Sequence, residues 1–363
     1  MTTPNLQQQS SGTALAERML SAVVGALEMA AVDLGDRLGW YRALSDAPAT
    51  APQLADRTGT DPRYAREWLE QQAVAGYLAV DDVRSGPDQR CYSLPAEHRA
   101  VLVDEVDPVF TTPLARMAMA LTRNIPKLAE VYRFGGGLGW AELGPDAREA
   151  QAAANRPFFL GPLISEVLPS LPDVDAALRA GGRVADVGCG VGWSSIGMAV
   201  GYPEIRVDGF DVDVPSVELA RRRAEESGVA DRVRFEVADV GALAIDGGYD
   251  LVTAFECVHD LPDPVAVLAA MRRMVRRGGT VLVVDERVSE HFTAPGDEIE
   301  RLMYGYSLTC CLPDALSRRP SAATGTVMRP ATLDRYARDA GFTGCEVLPV
   351  PHDFFRFYRL LTG

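Results

Sequence analysis

The sequence predicts an α/β protein in which a mostly helical N-terminal part precedes a doubly wound, mainly parallel sheet. One observation is that short apolar runs alternate with helical segments from Arg183 onward, as in consecutive βαβ units. Another is a glycine-rich turn directly after the first run, and a third is the helical spacing of apolar residues before it. The predicted strands cover residues 183–187, 206–210, 233–237, 249–255 and 279–284.

The N-terminal part has the order of elements that is typical of a winged helix. Thr50 is placed to cap a helix with Pro52 in its first turn, and Asp61 and Pro62 begin a second helix in the same way. The stretch 77–94 then predicts a β-hairpin, because turn residues interrupt it near its middle. These patterns divide the chain into a winged-helix-like region, a helical linker and the doubly wound domain, at 1–107, 108–180 and 181–363.

The charge of the chain argues against nucleic acid as a partner. The formal net charge is −14, and residues 1–107 hold nine basic and sixteen acidic side chains. The second helix of the winged-helix pattern carries Arg63 and Arg66 against Glu67 and Glu70. Because nucleic-acid affinity depends on basic charge, we expect a small-molecule partner and no nucleic acid. A ligand-sensing regulator that binds DNA stays open as an alternative.

Several features predict a cytoplasmic protein without a metal site. No apolar run is long enough to span a bilayer, and the first dozen residues have no signal-peptide pattern. The cysteines form no C-x-x-C pair, and the four histidines do not cluster near them. Scattered cysteines without a signal peptide indicate reduced thiols. The apolar stretch Met19 to Leu34 favours a homodimer that associates through the N-terminal helices.

The linker contains a glycine-rich segment, residues 135–140, that ends in Trp140. A mobile loop flanked by aromatic side chains could close over an active site and exclude water, which would make it a lid. A plain interdomain loop explains the same residues.

The turn after the first predicted strand has the features of a nucleotide site that takes no phosphate. Gly188, Gly190 and Gly192 let the backbone turn sharply and approach a ligand closely. The dinucleotide fingerprint needs glycine or alanine where Trp193 stands. Asp186 would also repel a pyrophosphate, whereas it suits the α-ammonium group of S-adenosylmethionine.

Two further carboxylates follow the next two predicted strands. Asp211 can accept hydrogen bonds from ribose hydroxyls, and Asp239 can accept from an adenine amino group. Each could instead cap a loop or helix, a role for which Asp213 is the better placed. The predicted cofactor site comprises Asp186, Gly188, Gly190, Gly192, Asp211, Val212, Ala238, Asp239, Val240 and Phe255.

On these residues, the region from Arg183 to Asp285 resembles a class I S-adenosylmethionine methyltransferase. The whole chain resembles a bacterial group of such enzymes with an N-terminal winged helix. The resemblance implies S-adenosylmethionine as cofactor, a catalytic domain over 181–363, and a Rossmann-like seven-stranded sheet with one reversed strand. The reversed strand agrees with an antiparallel pair that we expect at 341–350 and 352–361. The segments that carry this second resemblance are 135–137, 155–158, 186–190, 255–260, 285–287 and 326–330.

His259 is the predicted general base for an oxygen acceptor, because histidine titrates near neutrality. The segment from His259 to Asp263 is similar to the His-Asp-Trp segment of the caffeate-type O-methyltransferases, where the histidine is the base. Leu261 stands in place of the tryptophan. Either Asp285 or Glu286, at the end of the fifth strand, could orient His259 or bind substrate. The alternatives are that His259 packs the next helix and that the two acids form a salt bridge with Arg287.

Substrate contacts are predicted from Met303 and Tyr304, which lie on a helix inserted after the fifth strand, and from Phe158. Core packing explains the same residues. The predicted reaction is methyl transfer to a small molecule, with oxygen as the first choice of acceptor atom and nitrogen or carbon as further choices. A non-methylating enzyme that uses the same bound cofactor is the alternative within this fold.

Overall fold

The computed structural model describes residues 6–245 and 247–363. The chain divides into two compact units, the first ending at Met119 and the second running from Ala120 to Gly363.

The first unit contains the expected helices and hairpin. Its helices end or begin at the residues with the strongest local signals: Gly39, in the left-handed region, separates α1 from α2, and Asp61 caps α4 through the amides of Arg63 and Tyr64. Trp40, Tyr41 and Trp68 form the centre of its core. The helices are α1 (Leu6–Arg37), α2 (Trp40–Asp46), α3 (Ala51–Thr58), α4 (Pro62–Val74) and α5 (Arg99–Leu102).

The hairpin is shorter than the sequence predicts. Strands β1 (Ala79–Val80) and β2 (Tyr92–Ser93) pair antiparallel over two residues each. Between them Asp81 accepts hydrogen bonds from the amides of Asp82 and Cys91, which turns the chain away from the ladder. The winged-helix order of elements is nevertheless present.

The second unit begins with helices and then forms the sheet. Helix α6 (Thr112–Thr122) contains the boundary between the units. The helices that follow before the sheet are α7 (Ile125–Phe134), α8 (Trp140–Leu143), α9 (Pro145–Leu160) and α10 (Pro172–Arg179).

In the described part of the chain the second unit holds a seven-stranded sheet in the order β5-β4-β3-β6-β7-β9-β8. All neighbours from β5 to β7 pair in parallel, and β9 is the reversed strand, antiparallel to both β7 and β8. The expected strands are therefore confirmed, with the fifth extended at both ends and the last two shortened. They are β3 (Arg183–Val187), β4 (Arg206–Asp211), β5 (Val233–Val237), β6 (Tyr249–Phe255), β7 (Val275–Glu286), β8 (Gly344–Val347) and β9 (Phe355–Leu361).

Both faces of the sheet are covered, which explains why its central strands are apolar throughout. One core contains α9–α12 side chains with Phe355 and Phe357 of β9, and the other contains side chains of α13 and α16 with Met328. The remaining helices are α11 (Trp193–Gly201), α12 (Val214–Glu226), α13 (Pro264–Met274), α14 (Glu298–Tyr306), α15 (Leu312–Ala315) and α16 (Pro330–Asp339).

The strand order reverses between β3 and β6. The chain moves outward from β3 to β5 and then returns to place β6 on the other side of β3. In open α/β sheets, ligands bind at this switch point, beyond the carboxyl ends of the strands. Within the described residues, no helix combines the length and apolar character that a bilayer crossing requires.

Candidate active site

The glycine turn lies beyond β3 at this switch point. Gly188, Gly190 and Gly192 have φ angles of 69°, 52° and 87°, which favour glycine. A Cβ atom at Gly192 would stand 2.6 Å from the ring of Phe235, so that this glycine is also required by packing. At Gly190, by contrast, a Cβ would meet no described atom within 4 Å. The turn thus has an open side at Gly190 where a ligand can approach the backbone.

Asp186 holds this turn in place. Its side chain is only 1% exposed. The hydroxyls of Ser194 and Ser195 at the start of α11 each donate to Oδ2 at 2.6 Å, and Thr253 of β6 donates to Oδ1 at 2.8 Å. Burial raises the pKa of Asp186, although the three hydroxyls oppose that change. The carboxylate therefore connects β3, α11 and β6 through its hydrogen bonds with these three hydroxyls.

Asp211 ends β4 beside the glycine turn. Its Oδ2 accepts a hydrogen bond of 2.8 Å from the amide of Gly190, and its Oδ1 accepts one of 2.8 Å from the amide of Asp213. Burial raises the pKa of Asp211. Each oxygen keeps a second lone pair, so that the carboxylate can accept two more donors.

Asp213 has a different role, since it caps α12. It accepts from the amide and hydroxyl of Ser216, and it pairs with Arg148 of α9 at 2.9 Å. Both side chains of this ion pair are about 10% exposed or less. Arg148 could not be predicted from the sequence, because its partner lies on a distant segment.

The other predicted cofactor residues lie along the same edge of the sheet. Asp239 follows β5 and accepts from the amide of Gly241. Val212 is exposed, Ala238 is partly buried and Val240 is buried. Phe255 ends β6 and packs edge-on against Phe159, with 5.3 Å between the ring centroids. The structure therefore brings these residues to the carboxyl ends of β4, β5 and β6.

His259 stands on a short turn, Val258–Asp260, that follows β6. It is 2% exposed, and its Nδ1 lies 2.6 Å from Oδ1 of Asp285 at the end of β7. Its Nε2 lies 3.3 Å from Oδ1 of Asp260. Burial would lower the pKa of His259, but Asp260 and Asp285 outweigh it and raise the pKa well above the usual range. Asp285, and not Glu286, is therefore the residue that orients the imidazole.

Two glutamates lie beside this pair, Glu286 buried and Glu256 half-buried. Glu256 follows β6 with a φ of 50°, and its amide donates to the carbonyl of Val284 in β7. Its Oε2 accepts from Nε2 of Gln151 at 3.3 Å, while its Oε1 is buried and has no partner among the described residues. Burial raises the pKa of Glu256 to about 8. Glu256 is not among the residues predicted from the sequence, because a role in this motif was assigned only to the neighbouring Phe255 and His259.

Glu286 is the second of these glutamates. It is 8% exposed, and its carboxyl forms no hydrogen bond or ion pair with the described part of the chain. Burial and the neighbouring charge of Glu256 raise its pKa well above the usual range.

A cysteine completes the surroundings of His259. One ligand atom each of His259, Asp260 and Cys311 lies within 4.8 Å of the others. A metal would need a thiolate and a neutral imidazole. Here the pKa of Cys311 is raised by Cys310 and by burial, and that of His259 is raised as well. These donors fit a hydrogen-bonded cluster better than a metal site.

The predicted substrate residues differ in their exposure to solvent. Met303 is buried on α14, and Tyr304 is exposed and lies 3.5 Å from Nη2 of Arg329. Phe158 is buried in an aromatic cluster with Phe355 and His352, where packing alone explains it. Tyr306 instead faces the glutamates: burial and then the charge of Glu286 raise its pKa to about 12.

The glycine-rich segment of the linker packs against the turn of α15. The amide of Leu138 donates to the carbonyl of Pro313 at 2.9 Å, and that of Trp140 donates to Asp314 at 2.7 Å. A Cβ at Gly137 would stand 2.2 Å from the amide nitrogen of Ser317, which only glycine avoids. Its role as a lid stays a prediction.

Comparison with known proteins places this site in a family. Residues 178–314 match the family described as a methyltransferase domain, and residues 25–104 match an Rv2258c-like winged HTH domain. The chain is 31% identical over 174 residues to the ubiquinone biosynthesis O-methyltransferase of Aromatoleum aromaticum, which covers 48% of this chain and 69% of that protein. The chain belongs to the class I S-adenosylmethionine-dependent methyltransferases.

Other relatives of this methyltransferase agree. It is 39% identical over 109 residues to the 27-O-demethylrifamycin SV methyltransferase of Amycolatopsis mediterranei, over 30% of this chain. That match spans only 40% of the rifamycin enzyme. The structure of the mitomycin 7-O-methyltransferase MmcR shares the fold with a TM-score of 0.67 at 22% identity, over 97% of this chain and 99% of that one. The predicted family and the predicted Rossmann-like fold with its winged helix are confirmed.

The residues of this methyltransferase fit the cofactor of its family. S-adenosylmethionine has ribose hydroxyls that can donate to the two free lone pairs of Asp211. The open side of Gly190 leaves room for the ligand beside the turn. Among the described residues, no basic side chain contacts the carboxylates of Asp186 or Asp211, which suits a ligand that carries positive charge and no phosphate.

We expect Asp211→Ala to weaken S-adenosylmethionine binding by about 1–3 kcal/mol, because hydrogen bonds to the ribose are lost. Calorimetric titration of the cofactor measures this change. Asp231→Ala is the matched control, since Asp231 is exposed and follows α12 away from the carboxyl ends of the strands. Equal affinity in the Asp211 variant and the wild type would remove Asp211 from the cofactor site.

Proposed function

We propose that this protein transfers the methyl group of S-adenosylmethionine to an oxygen atom of a small molecule. The observation that carries the proposal is the buried pair of His259 and Asp285, held beside the glycine turn at the ends of β6 and β7. When bound, the cofactor supplies a methyl group that is already activated on a sulfonium. The protein then has to align the acceptor, exclude water and remove a proton.

The cofactor residues divide the binding task. Asp211 would accept the ribose hydroxyls, and Asp239 with the backbone around Val240 would meet the adenine. Gly188, Gly190 and Gly192 would let the main chain approach the cofactor. Asp186 would act on the cofactor through the turn that its three hydroxyl contacts fix.

The acceptor would lose its proton to Nε2 of His259. Asp285 accepts from Nδ1, which fixes the orientation of the imidazole, and the acceptor would approach Nε2 on the side of the ring where Asp260 lies 3.3 Å away. As the methyl group passes from the sulfonium sulfur to the acceptor oxygen, the acceptor proton would move to Nε2, and Asp285 would stabilise the resulting imidazolium. Glu286 has no part in this step, because its carboxyl does not contact His259.

The names of the relatives support oxygen as the acceptor atom. The rifamycin, ubiquinone and mitomycin enzymes are all O-methyltransferases by name. Nitrogen and carbon acceptors are the further outcomes of the same experiment.

The test is label transfer from methyl-labelled S-adenosylmethionine into a cell extract. We expect label in a small-molecule fraction, and we expect His259→Gln to reduce the rate by about 10²–10⁴-fold because the base is lost. His291→Gln is the matched control, since His291 is exposed. Cofactor affinity measured in parallel shows that each variant is folded.

The outcomes separate the proposal from its alternatives. An unchanged methylation rate for His259→Gln would show that His259 is not the general base. Product formation in the presence of S-adenosylmethionine, without formation of S-adenosylhomocysteine, would favour a non-methylating enzyme. Tight binding to duplex DNA at low salt would favour the regulator, although Arg63 and Arg66 are paired with Glu67 and Asp88.

A second prediction concerns pH. Because Asp260 and Asp285 raise the pKa of His259, the neutral imidazole that can accept a proton forms at a higher pH than in an ordinary histidine, and the methylation rate should rise with pH into the alkaline range. Asp285→Asn removes one of the two charges and lowers that pKa. We expect its rate profile to begin rising at a lower pH, with a maximum rate reduced by about 10²–10⁴-fold because the imidazole is no longer oriented.

The measurement is kcat/KM against pH for both proteins. Asp353→Asn is the matched control, as Asp353 is exposed. A profile for Asp285→Asn that coincides with that of the wild type would show that the carboxylate does not act on the base.

We also propose a homodimer, formed through α1. Large apolar side chains lie exposed along this helix, among them Met19, Val23 and Leu27 at four-residue spacing. An apolar cavity of about 520 Å³ in the same unit is lined by Leu34, Trp68 and other side chains. Exposed stretches of this kind are typical of protein interfaces.

Light scattering should therefore give the mass of a dimer, and Leu27→Lys should give a monomer, because a charge cannot be buried unpaired at an apolar interface. Val83→Lys is the control on an equally exposed valine of the same unit. A monomeric wild-type protein would contradict the proposal. The cytoplasmic location and the three-region division of the chain stay predictions.

A further inference from the structure

The acid groups around His259 outnumber the cations. Glu256, Asp260, Asp285 and Glu286 lie close enough to affect its pKa or one another's. The charges that most affect the pKa values of the two glutamates include one cation, His259. That histidine is already in contact with the carboxylates of Asp285 and Asp260. The two glutamates therefore have no counter-charge of their own.

The carboxyl groups of Glu256 and Glu286 have oxygen atoms without a hydrogen-bond partner among the described residues. As a whole residue Glu286 is more than nine-tenths buried, and no hydrogen bond or ion pair within the described residues involves its carboxyl. The buried Oε1 of Glu256 is likewise without a partner there. A buried polar group without a partner costs about 1–3 kcal/mol, so that native proteins keep such groups where a ligand satisfies them.

The position of the two glutamates assigns them to the acceptor. Glu256 comes directly after β6, three residues before His259. Glu286 is the last residue of β7 and directly follows Asp285. Tyr306, on the segment inserted after β7, faces both of them. The cofactor carboxylates lie on the other side of β3, where Asp211 ends β4 and Asp239 follows β5.

We propose that Glu256 and Glu286 bind a protonated amine of the acceptor molecule and so select acceptors that carry one. This inference rests on the proposed function, since it names the substrate class of the same site. An ammonium group donates three hydrogen bonds and brings the positive charge that the pair lacks. A divalent metal fits less well, because neither glutamate belongs to the set of three converging ligand atoms around His259.

The raised pKa values agree with this role. With its pKa raised to about 8, Glu256 is protonated in the free protein at pH 7, and binding of a cation should release that proton. Amine affinity should then increase with pH up to about pH 8. The titratable and polar groups that face the pair, from every element packed against it, are His259, Asp260, Asp285, Tyr306, Cys311, Gln151 and Asn155.

The experiment is calorimetric titration of the full chain saturated with S-adenosylhomocysteine. The probes are two pairs that differ only in the cationic group, tyramine against tyrosol and benzylamine against benzyl alcohol. We expect an amine to bind at least about tenfold more tightly than its alcohol, because it gains a charge-assisted contact with buried carboxylates. Titration in buffers of different ionisation enthalpy should show proton release on amine binding alone.

Variants connect the preference to the two residues. Glu256→Gln and Glu286→Gln should each abolish most of the preference for the amine, while Glu290→Gln, an exposed glutamate beyond β7, should keep it. Unchanged affinity for S-adenosylhomocysteine shows that each variant is folded. Because binding is measured without turnover, absent methyl transfer with an intact amine preference would contradict only the proposed reaction.

The inference is overturned if no amine binds more tightly than its alcohol. It is also overturned if both glutamine variants keep the preference. Saturable binding of Mg²⁺ or Zn²⁺ that depends on both glutamates would also overturn the inference, because it would assign the pair to a metal ion.

Discussion

The hydrogen bonds to Asp186 are the contacts on which the rest of the site depends. A carboxylate at 1% exposure is stable only if its oxygens have donors, and three hydroxyls supply them. Those hydroxyls come from the start of α11 and from the neighbouring strand β6. One buried charge therefore fixes the end of β3, the glycine turn and the strand that leads to His259.

From that fixed point the two halves of the site separate along the sheet. The cofactor side extends across β4 and β5, where Asp211 bonds the amide of Gly190 and so couples the turn to the next strand. The chemical side extends across β6 and β7, where His259 and Asp285 meet. Since the strand order reverses between β3 and β6, both halves open onto the same edge.

The whole edge is acidic, which agrees with a protein of net charge −14. Burial raises the pKa of Asp186, Asp211, Glu256 and Glu286 alike, which means that each ionised form is costly without a ligand. A sulfonium cofactor with an α-ammonium group, and an acceptor with an amine, would each offset part of that cost. Electrostatics thus connects the choice of cofactor with the choice of acceptor.

The sequence alone determined the elements and the local signals. Alternating apolar runs located β3 to β7, and the glycine turn and Asp211 could be identified because each depends on residues next to it in the chain. Tertiary structure decided which distant side chains meet: Asp285 bonds His259, whereas Glu286 does not and its pKa is raised by the charge of Glu256. Strand alternation, strand register and the left-handed backbone at Glu256 set these contacts. No local pattern encodes them, because they join segments far apart in the chain.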